Sequence, residues 1–553
     1  MSGPRALPLL LGLVACSALD ADSQQTVRVT LLGTTDVHGH LLPYDYATDG
    51  TERGGLARVA TLVDSIRRAD EHVLLFDSGD LLQGTPLDEY QARVSADPVH
   101  PVIAAMNALG YAASAVGNHE YNYGIPFLER TLAAAGFPFL AANIYDAVSG
   151  ETVFPPFIIR ETGGVRVGIL GFTTPGVAIW DRSHVEGRLR FADIVESARR
   201  WLPELERQRP DLIVAIAHSG IGPGSSYAPE SGVPEENAIH RLATELPAID
   251  LVFAGHSHDR VEGSRIGEAL VVQAGRFARV LAVVHVTLRR IAGRWSILKK
   301  RSFTIPTGET APSAVVANIV RDAHERTVAW LREPIGFTPD RWTAARARFE
   351  DTPIADLITE VQRQAAGADL ASTAVFDPSA SFGPGAVSRR DILGLYIYPN
   401  TLKAVRISGA DLRAYLEWSA RYFTGFPGEP LINDSVPGYN FDVVSGVSYR
   451  IDLSRPAGRR ITELRFRGRP VAPADSFTLA LNNYRQSGGG GAEMVARAPV
   501  VYSGEESISQ LIIDWVRGRD TLRFTDVFEE NWRLLPEAAV QQVSREAGAV
   551  ATH

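Results

Sequence analysis

The sequence VRVTLLGTTDVHGH at residues 27–40 introduces a pattern that recurs through the first half of the chain. Its first nine residues are rich in apolar and β-branched side chains, which predicts a buried strand, and Asp36 and His38 follow that strand directly. Further strand-like runs lead into polar clusters, and helical patterns such as Gly55–Arg68 lie between them. Alternating strands and helices predict an α/β domain whose functional site forms beyond the carboxyl ends of the strands.

Five polar clusters follow these predicted strands, and the carboxyl ends of parallel strands would bring them to one edge of the sheet. Eleven of the 13 histidines lie between His38 and His285, so this half of the chain is the candidate for metal chemistry. Carboxylate, imidazole and amide oxygen ligands together suit divalent ions of the Mn²⁺, Zn²⁺ or Co²⁺ type. The clusters are Asp36-Val37-His38, Gly79-Asp80, Gly117-Asn118-His119-Glu120, His218 and Gly255-His256-Ser257-His258.

This ligand set has room for two metal ions, with Asp80 as a residue that could bridge them. Two ions about 3.5–4 Å apart can clamp a phosphoryl oxygen and lower the pKa of a bridging water. His119 follows Asn118 directly, so it could face the substrate as a proton donor while Asn118 faces a metal. The role of His40 stays open, because it could share a strand face with His38. Other histidines are interpreted as structural: His72, His100, His184, His240 and His285.

The order of the patterns divides the chain into five parts. An export segment at residues 1–25 precedes an α/β domain at 26–308. A connecting helix within 309–335 leads to an α+β region at 336–536, and a polar, frayed tail follows at 537–553. The connector is predicted as an amphipathic helix over Ala311–Arg332, between Pro306 and Pro334. Two late strands within Ala269–Leu288 are expected to close the first domain.

The export segment contains the chain's only cysteine, Cys16. Ala6–Ala15 is apolar but too short to span a bilayer as a helix, which is typical of a signal sequence. Leu13–Cys16 resembles a bacterial lipobox, with ordinary cleavage near Ala18 as the alternative. We therefore expect an exported protein of the bacterial periplasm or cell envelope, whose only membrane attachment would be a lipid on Cys16.

The charge balance bears on possible partners. The chain has 55 basic and 64 acidic residues, a formal net charge of −9. Such a chain lacks the electrostatic footprint of a protein that binds nucleic-acid polymers, although a local metal site can still attract a small phosphate ligand. We expect no nucleic-acid polymer as a partner, and a monomer.

Three stretches of the second region suit a flat ligand: residues 396–402 (YIYPNTL), 439–447 (YNFDVVSGV) and 482–485 (NNYR), the last followed by four glycines at 488–491. A nucleobase can stack between aromatic rings, each base contributing about 1–3 kcal/mol. Asparagine amides can contact base edges, and a glycine-rich backbone permits close approach of a ligand.

The metal motifs resemble those of the calcineurin-like metallophosphoesterase superfamily in its 5′-nucleotidase branch. The resemblance implies an N-terminal sandwich of two mixed sheets flanked by helices, and a C-terminal α+β nucleotide-binding domain. It assigns His119 to transition-state stabilisation or leaving-group protonation. It also implies two metal sites, one formed by Asp36, His38, Asp80 and His258, the other by Asp80, Asn118, His218 and His256.

The C-terminal stretches are most similar to those of the periplasmic 2′,3′-cyclic-nucleotide 2′-phosphodiesterase/3′-nucleotidase group. This similarity implies that Tyr398 and Tyr484 hold the base and that Asn400 contacts its edge. Asn482 and Arg485 are further candidates for substrate contacts.

Two departures from the general 5′-nucleotidase pattern bear on the substrate. Asn122 replaces an aspartate that pairs with the motif histidine, and the N-G-G-G-I-R phosphate-binding stretch is absent, Val375–Pro378 standing in its place. An amide cannot supply the charge of the missing carboxylate, although it can orient the ring of His119. The resemblance therefore implies small nucleotide substrates, with cyclic phosphodiesterase and 3′-nucleotidase as the expected activities. The alternatives are a 5′-nucleotidase or UDP-sugar hydrolase, and a catalytically silent nucleoside-binding lipoprotein.

Overall fold

The structure is a computed structural model that describes residues 25–227, 231–398 and 400–550, with the backbone alone at 505 and 547–550. The predicted export segment with Cys16 therefore lies outside the described residues, apart from residue 25. Within the described ranges, none of the helices combines the length and the apolar character that a membrane crossing requires.

Two six-stranded mixed sheets form the first domain. The first sheet runs, in spatial order, Arg294–Pro306, Val280–Ile291, Thr26–Thr34, Val73–Asp77, Ala113–Ala115 and Phe139–Leu140. The second runs Arg260–Ile266, Ala269–Ala274, Leu251–Ala254, Leu212–His218, Val165–Thr173 and Phe157–Thr162. The central strands of each sheet are parallel. Antiparallel strands complete one edge of the first sheet and both edges of the second, whereas Phe139–Leu140 closes the other edge of the first sheet in parallel.

The two sheets pack face to face around an apolar core. Phe76 of the first sheet meets Phe253 of the second edge to face, with ring centroids 5.8 Å apart. The sheets approach so closely that a Cβ atom at Gly33 would lie 2.3 Å from the Phe253 ring. Helices cover the outer faces, which explains why the central strands are apolar on both sides. The helices are Leu56–Ala69, Pro86–Arg93, Pro101–Leu109, Ile125–Leu132, Val177–Trp180, Arg182–Val185, Ile194–Arg207 and Ile239–Glu245.

Both predicted late strands are present, and they join different sheets. Ala269–Ala274 joins the second sheet, whereas Val280–Ile291 pairs with Thr26–Thr34 in the first. The partner strand Arg294–Pro306 was missed, since much of its length is solvent-exposed and polar and therefore lacks the continuous apolar run of a buried strand. Two small ribbons complete the domain: Tyr44–Asp45 with Gly50–Thr51, and Ile144–Asp146 with Leu189–Phe191.

The connecting helix spans Ala314–Arg332 and begins three residues later than predicted. Pro312 disfavours helical geometry at Ala311, and Ser313 occupies the position before the first helical residue. The helix buries Val316, Val320 and Leu331 against the first domain, so it is packed along its length rather than isolated.

The C-terminal domain is α+β, as expected. Its larger sheet runs Asp442–Ser445, Leu370–Ala374, Ser476–Asn482, Thr401–Ser408 and Val500–Ser507, and its smaller sheet runs Arg469–Pro470, Ile461–Phe466, Ser448–Asp452 and Trp532–Leu535. Two ribbons pair Pro334–Thr338 with Gly385–Ser388 and Trp342–Thr343 with Ser381–Phe382. The helices are Pro353–Ala366, Arg389–Leu395, Gly409–Ser419, Asn483–Gln486, Glu493–Ala496, Ile508–Arg517 and Glu537–Val550.

The last of these helices corrects the prediction of a frayed tail over 537–553. Glu537–Val550 is helical and buries Ala539 and Val543 in the core. The Glu546 carboxylate accepts hydrogen bonds from the backbone N–H groups of Leu431 and Ile432. These contacts are with residues more than a hundred positions away, so the local polar composition gave no sign of them.

Candidate metal centre and base-binding pocket

The predicted metal ligands converge at the carboxyl ends of the parallel strands, and both sheets contribute. Asp36 and His38 follow a strand of the first sheet, and His258 follows a strand of the second. The His38 and His258 Nε2 atoms are 3.1 Å apart, and His258 Nε2 lies 3.3 Å from Asp36 Oδ1. Donor atoms of these three residues all lie within 4.8 Å of one another, a spacing that fits one metal ion.

A second group of donors lies beside the first. His218 Nε2 is 3.0 Å from both Asp80 Oδ2 and Asn118 Oδ1, and His256 completes a group with Asp80 and His218 within the same 4.8 Å limit. Asp80 Oδ2 also lies 3.8 Å from His38 Nε2 of the first group. Buried carboxylates, imidazoles and an amide oxygen fit divalent cations, and Asp80 has the position of a bridging ligand.

Hydrogen bonds from outside the cluster fix which nitrogen of each ring faces it. His38 Nδ1 contacts the Gln83 carbonyl at 2.8 Å and His218 Nδ1 contacts the Ser78 carbonyl at 2.9 Å. A carbonyl only accepts, so both rings carry the proton on Nδ1 and offer Nε2 to a metal. His256 is the reverse, because its Nε2 lies 2.8 Å from a Glu236 carboxylate oxygen and Nδ1 remains. Sequence reasoning missed Glu236, which follows no strand and belongs to no recognised motif.

The backbone at the ligands is unusual. Five of the seven ligands are non-glycine residues in the left-handed region: Asp36 (φ 50°), His38 (φ 48°), Asp80 (φ 63°), His256 (φ 73°) and His258 (φ 60°). This conformation costs about 1–2 kcal/mol per residue, and such strain concentrates at functional sites. The backbone turns sharply after each strand, so the side chains that follow the strands converge on one site.

Glu120 holds two of these loops together. Its buried carboxylate accepts hydrogen bonds from the backbone N–H groups of Asp80 (3.0 Å), Leu81 (2.5 Å) and Gly117 (2.5 Å). At Gly79, between the strand and Asp80, a Cβ atom would lie 2.6 Å from the Gly117 nitrogen. Glu120 is therefore a structural member of its motif that positions Asp80 against Asn118.

The electrostatics favour anionic oxygens in the cluster. Burial raises the pKa of Asp80, but the charges of His218, His119 and His38 lower it further, so that it lies well below its ordinary value. Asp36 is likewise held below its ordinary pKa, since His258 and His218 more than offset its burial. The two carboxylates are thus ionised at neutral pH, the state in which they ligate a cation.

His119 lies at the rim of the cluster, and its side chain is about one-third exposed. Its Nε2 is 3.9 Å from Asp80 Oδ2, and its Nδ1 lies 2.6 Å from Asn122 Oδ1. The reactive nitrogen therefore faces the metal donors while the other is held from behind. His40, which sequence analysis left open, stacks on Phe277 with ring centroids 4.2 Å apart and belongs to none of the donor groups.

The predicted base-binding tyrosines are exposed large aromatics of the second domain. Tyr398 is 40% exposed and Tyr484 43% exposed, so both rings are accessible to a ligand. Phe376 supports Tyr398 edge to face, with centroids 4.9 Å apart. Phe376 belongs to the segment Val375–Pro378, which stands in place of the N-G-G-G-I-R phosphate-binding stretch, and no role in base binding was predicted for it. Asn400 is half-buried two residues beyond Tyr398, and its carbonyl accepts from the Ile508 N–H.

Arg276 links this pocket to the metal cluster. Its guanidinium lies 3.2 Å from His258 Nδ1 in the first domain. It also acts on Tyr398 of the second domain: burial raises the pKa of the Tyr398 hydroxyl, and the Arg276 charge lowers it in part. Arg276 therefore lies near both the metal donors and the exposed tyrosine.

The glycine run shapes the other side of the pocket. A Cβ atom at Gly489 would lie 2.5 Å from the Tyr484 ring, so the ring packs directly over this backbone. The interpretation of residues 488–491 as ligand-facing backbone is thus refined, because here the glycine accommodates Tyr484.

Arg485 and Asn482 were predicted as substrate contacts, but both are buried and bonded within the protein. Arg485 is 1% exposed, and all five of its N–H groups bind protein acceptors: the Asp442 carboxylate, Asn440 Oδ1 and the carbonyls of Tyr439 and Gly489. Asn482 is buried, and its side-chain oxygen caps the helix that carries Tyr484 by accepting from Arg485 N–H at 2.7 Å. Both residues support Tyr484 from below. A sequence motif cannot distinguish a residue that contacts the ligand from a residue that holds the contacting side chain in place.

We expect Arg485→Ala to lower the free energy of unfolding by about 3–5 kcal/mol, because it leaves the buried Asp442 carboxylate unpaired. Urea unfolding followed by circular dichroism measures the change. Arg459→Ala is the matched control, since Arg459 is exposed and its truncation should be neutral. Equal stability of the two variants would contradict the structural role of Arg485.

Fold and site together define a two-domain metal-dependent phosphoesterase. Residues 29–260 match the calcineurin-like phosphoesterase family, and residues 334–497 match the 5′-nucleotidase C-terminal domain. The chain belongs to the 5′-nucleotidase family of metallophosphoesterases, and it is a phosphoester hydrolase.

Three similar proteins illustrate the family. The 2′,3′-cyclic-nucleotide 2′-phosphodiesterase/3′-nucleotidase of Yersinia enterocolitica is 33% identical over 88% of this chain and 84% of its own length. The trifunctional nucleotide phosphoesterase protein YfkN of Bacillus subtilis is 31% identical over 92% of this chain, which spans 39% of that relative. A crystal structure of a 5′-nucleotidase from Staphylococcus aureus superposes with a TM-score of 0.71 at 27% identity, covering 92% of this chain and 100% of that one.

Proposed function

We propose that the protein opens 2′,3′-cyclic nucleotides at the 2′ bond and then dephosphorylates the resulting 3′-nucleotides. The observation that carries this proposal is the convergence of the metal donors with His119 at their rim, and Arg276 lies near both this cluster and the exposed Tyr398. The names of relatives at 31–33% identity support the same substrates. The amide of Asn122, in place of a carboxylate, also favours this group over general 5′-nucleotidases.

The two groups of donors would hold two divalent ions of the Mn²⁺, Zn²⁺ or Co²⁺ type. Asp36, His38, Asp80 and His258 would bind one, and Asp80, Asn118, His218 and His256 the other. When bound, the ions supply Lewis-acid clamping of the phosphoryl group and activation of water. The left-handed backbone and the outer hydrogen bonds keep the ligand atoms converged before any ion arrives, which limits the reorganisation that binding requires.

His119 would serve both steps from one position. In the first step one water is consumed, the P–O2′ bond breaks, and the 2′ oxygen takes a proton from His119 Nε2 to become a hydroxyl. In the second step another water is consumed, the P–O3′ bond breaks, and the nucleoside leaves with its 3′ oxygen protonated in the same way. Both leaving oxygens are alkoxides, which need a proton in order to depart.

We further propose that the protein works as a monomer in the bacterial periplasm or envelope. The apolar segment that precedes Cys16 supports export, and the lipobox-like sequence Leu13–Cys16 supports anchoring through a lipid. Lipid anchoring predicts a diacylglyceryl group on Cys16, and mass spectrometry of the mature N-terminus tests this prediction.

A substrate panel tests the assignment. The mature chain, loaded with Mn²⁺, is given 2′,3′-cyclic AMP, 3′-AMP, 5′-AMP and UDP-glucose, and phosphate and nucleoside release are measured. The proposal predicts the highest kcat/KM for the first two. Preference for 5′-AMP or UDP-glucose would support the alternative hydrolase, and nucleoside binding without turnover would support a silent binding protein.

Removal of either stacking ring should weaken binding of the nucleotide and little else. We expect Tyr398→Ala and Tyr484→Ala each to raise KM for 3′-AMP by about 5- to 150-fold, since stacking contributes about 1–3 kcal/mol per base. Tyr398→Phe and Tyr484→Phe keep the ring and should stay near the wild type. Turnover of glycerol 2-phosphate, which has no base, should not change. An equal loss with that substrate would show that the tyrosines support the fold rather than the base.

A further inference from the structure

Asp181 is a buried carboxylate of the first domain that the chemistry described above leaves unused. It is 5% exposed and lies after the short helix Val177–Trp180. Although it precedes the helical turn Arg182–Val185, its side chain makes no capping hydrogen bond there. Its Oδ2 atom is buried and has no hydrogen-bond partner among the residues that the structure describes. Burying a carboxylate oxygen without a hydrogen bond destabilises the folded state, unless an interaction with a neighbouring side chain offsets this cost.

The neighbour that it contacts is Asn122. Asn122 Nδ2 donates to Asp181 Oδ1 at 2.8 Å, and Asn122 Oδ1 faces His119 Nδ1 at 2.6 Å. Because a carboxylate only accepts, the amide must present its NH₂ group to Asp181 and its oxygen to His119. That oxygen in turn accepts only a proton carried on His119 Nδ1, so the exchangeable proton position is Nε2, which faces the metal donors.

From this chain of contacts we infer that Asp181 is a positioning residue for catalysis, which acts on His119 through the amide of Asn122. The inference rests on the proposed function, since it concerns the same proton transfer. Asp181 fixes the orientation of the amide, and the amide fixes the tautomer and rotation of the imidazole. Together, Asp181, Asn122 and His119 form an indirect carboxylate–histidine link. It takes the place of the direct contact that an aspartate at position 122 would make with His119.

The alternative is that Asp181 only supports the fold around residues 177–185. The two roles differ in what a relocated carboxylate does. If Asp181 acts through Asn122, exchange of the two side chains reverses the hydrogen bond between positions 122 and 181 but still gives His119 Nδ1 an acceptor that residue 181 holds in place. In Asn122→Asp/Asp181→Asn, the carboxylate at 122 accepts from His119 Nδ1 and from the amide at 181. If Asp181 acts by packing alone, asparagine at 181 has the same effect in the single and the double variant.

The experiment compares Asp181→Asn with the exchange variant in 3′-AMP hydrolysis, above neutral pH, so that the buried carboxylate is ionised. We expect Asp181→Asn to lower kcat by about 10- to 100-fold with KM unchanged, the range seen when an outer hydrogen-bond partner is lost. The exchange variant should recover kcat to within about threefold of the wild type. Glu186→Gln, which removes an exposed carboxylate nearby, is the control.

Bound metal and thermal unfolding are measured for every variant, so that a folding defect is recognised. Unchanged kcat in Asp181→Asn would overturn the inference, and so would a loss that the exchange variant does not recover. Failure of the proposed function is distinguishable, because it would leave wild-type protein inactive on the cyclic and 3′-nucleotides, whereas failure of this inference leaves the wild type active.

Discussion

An Asp80→Asn variant is expected to lose hydrolysis of all its phosphoester substrates by about 10⁴-fold or more, equivalent to about 5.5 kcal/mol of transition-state stabilisation. Asp80 Oδ2 lies 3.0 Å from His218 Nε2 and 3.8 Å from His38 Nε2, between the two donor groups. Asparagine keeps the size of the side chain but removes the charge that a bridging ligand needs, so both metal sites should weaken.

The measurement combines kcat/KM with metal content after dialysis. Asparagine retains an Oδ1 atom that can accept from the His119 N–H, a contact of 2.9 Å in the wild type, so the loop should keep its shape. Asp322→Asn, on the exposed face of the connecting helix, is the matched control and should behave as wild type. Retention of full activity and both metals by Asp80→Asn would exclude the bridging role.

The second large effect is expected from His119→Ala, with a fall in kcat of about 10²- to 10⁴-fold on 3′-AMP, the range typical of general acid–base catalysis. Metal content should be unchanged, since His119 is at the rim and the other donors remain. The loss should be far smaller with p-nitrophenyl phosphate, because p-nitrophenolate is a stable anion that leaves without a proton. His240→Ala provides the control, as that ring is exposed and distant from the donors.

Dependence on the leaving group is the diagnostic result. An equal loss with both substrates would assign His119 to stabilisation of the phosphoryl group rather than to protonation. Loss of bound metal in His119→Ala would instead identify His119, whose Nε2 lies 3.9 Å from Asp80 Oδ2, as a metal ligand.

Much of the first domain was predictable because its signals are local. Helix Leu56–Ala69 has an apolar face at helical spacing, and the predicted range of residues 55–68 differs from it by one residue at each end. The buried parallel strands are continuous apolar runs, so their carboxyl ends, with the clusters that contain Asp36, Asp80 and His256, could be located from the sequence. The order of those clusters then indicated the family.

The remaining features depend on contacts between distant parts of the chain. Glu236 faces His256, and Asp181 faces Asn122 59 positions away, and no local pattern indicates either pairing. The left-handed backbone at the ligands follows from the packing of two sheets and has no local sequence signature in non-glycine residues. Arg485 was misassigned for a related reason: a charged residue beside an exposed tyrosine suggests a ligand contact, whereas Asp442, 43 positions away, holds it in the core.

The central claim, that one metal-dependent site performs both hydrolyses, is tested most directly by ³¹P NMR of 2′,3′-cyclic AMP incubated with the metal-loaded protein. The account predicts that the cyclic signal converts first to 3′-AMP and then to inorganic phosphate, and that Asp80→Asn abolishes both steps together. Formation of 2′-AMP as the first product, or survival of either step in Asp80→Asn, would contradict it.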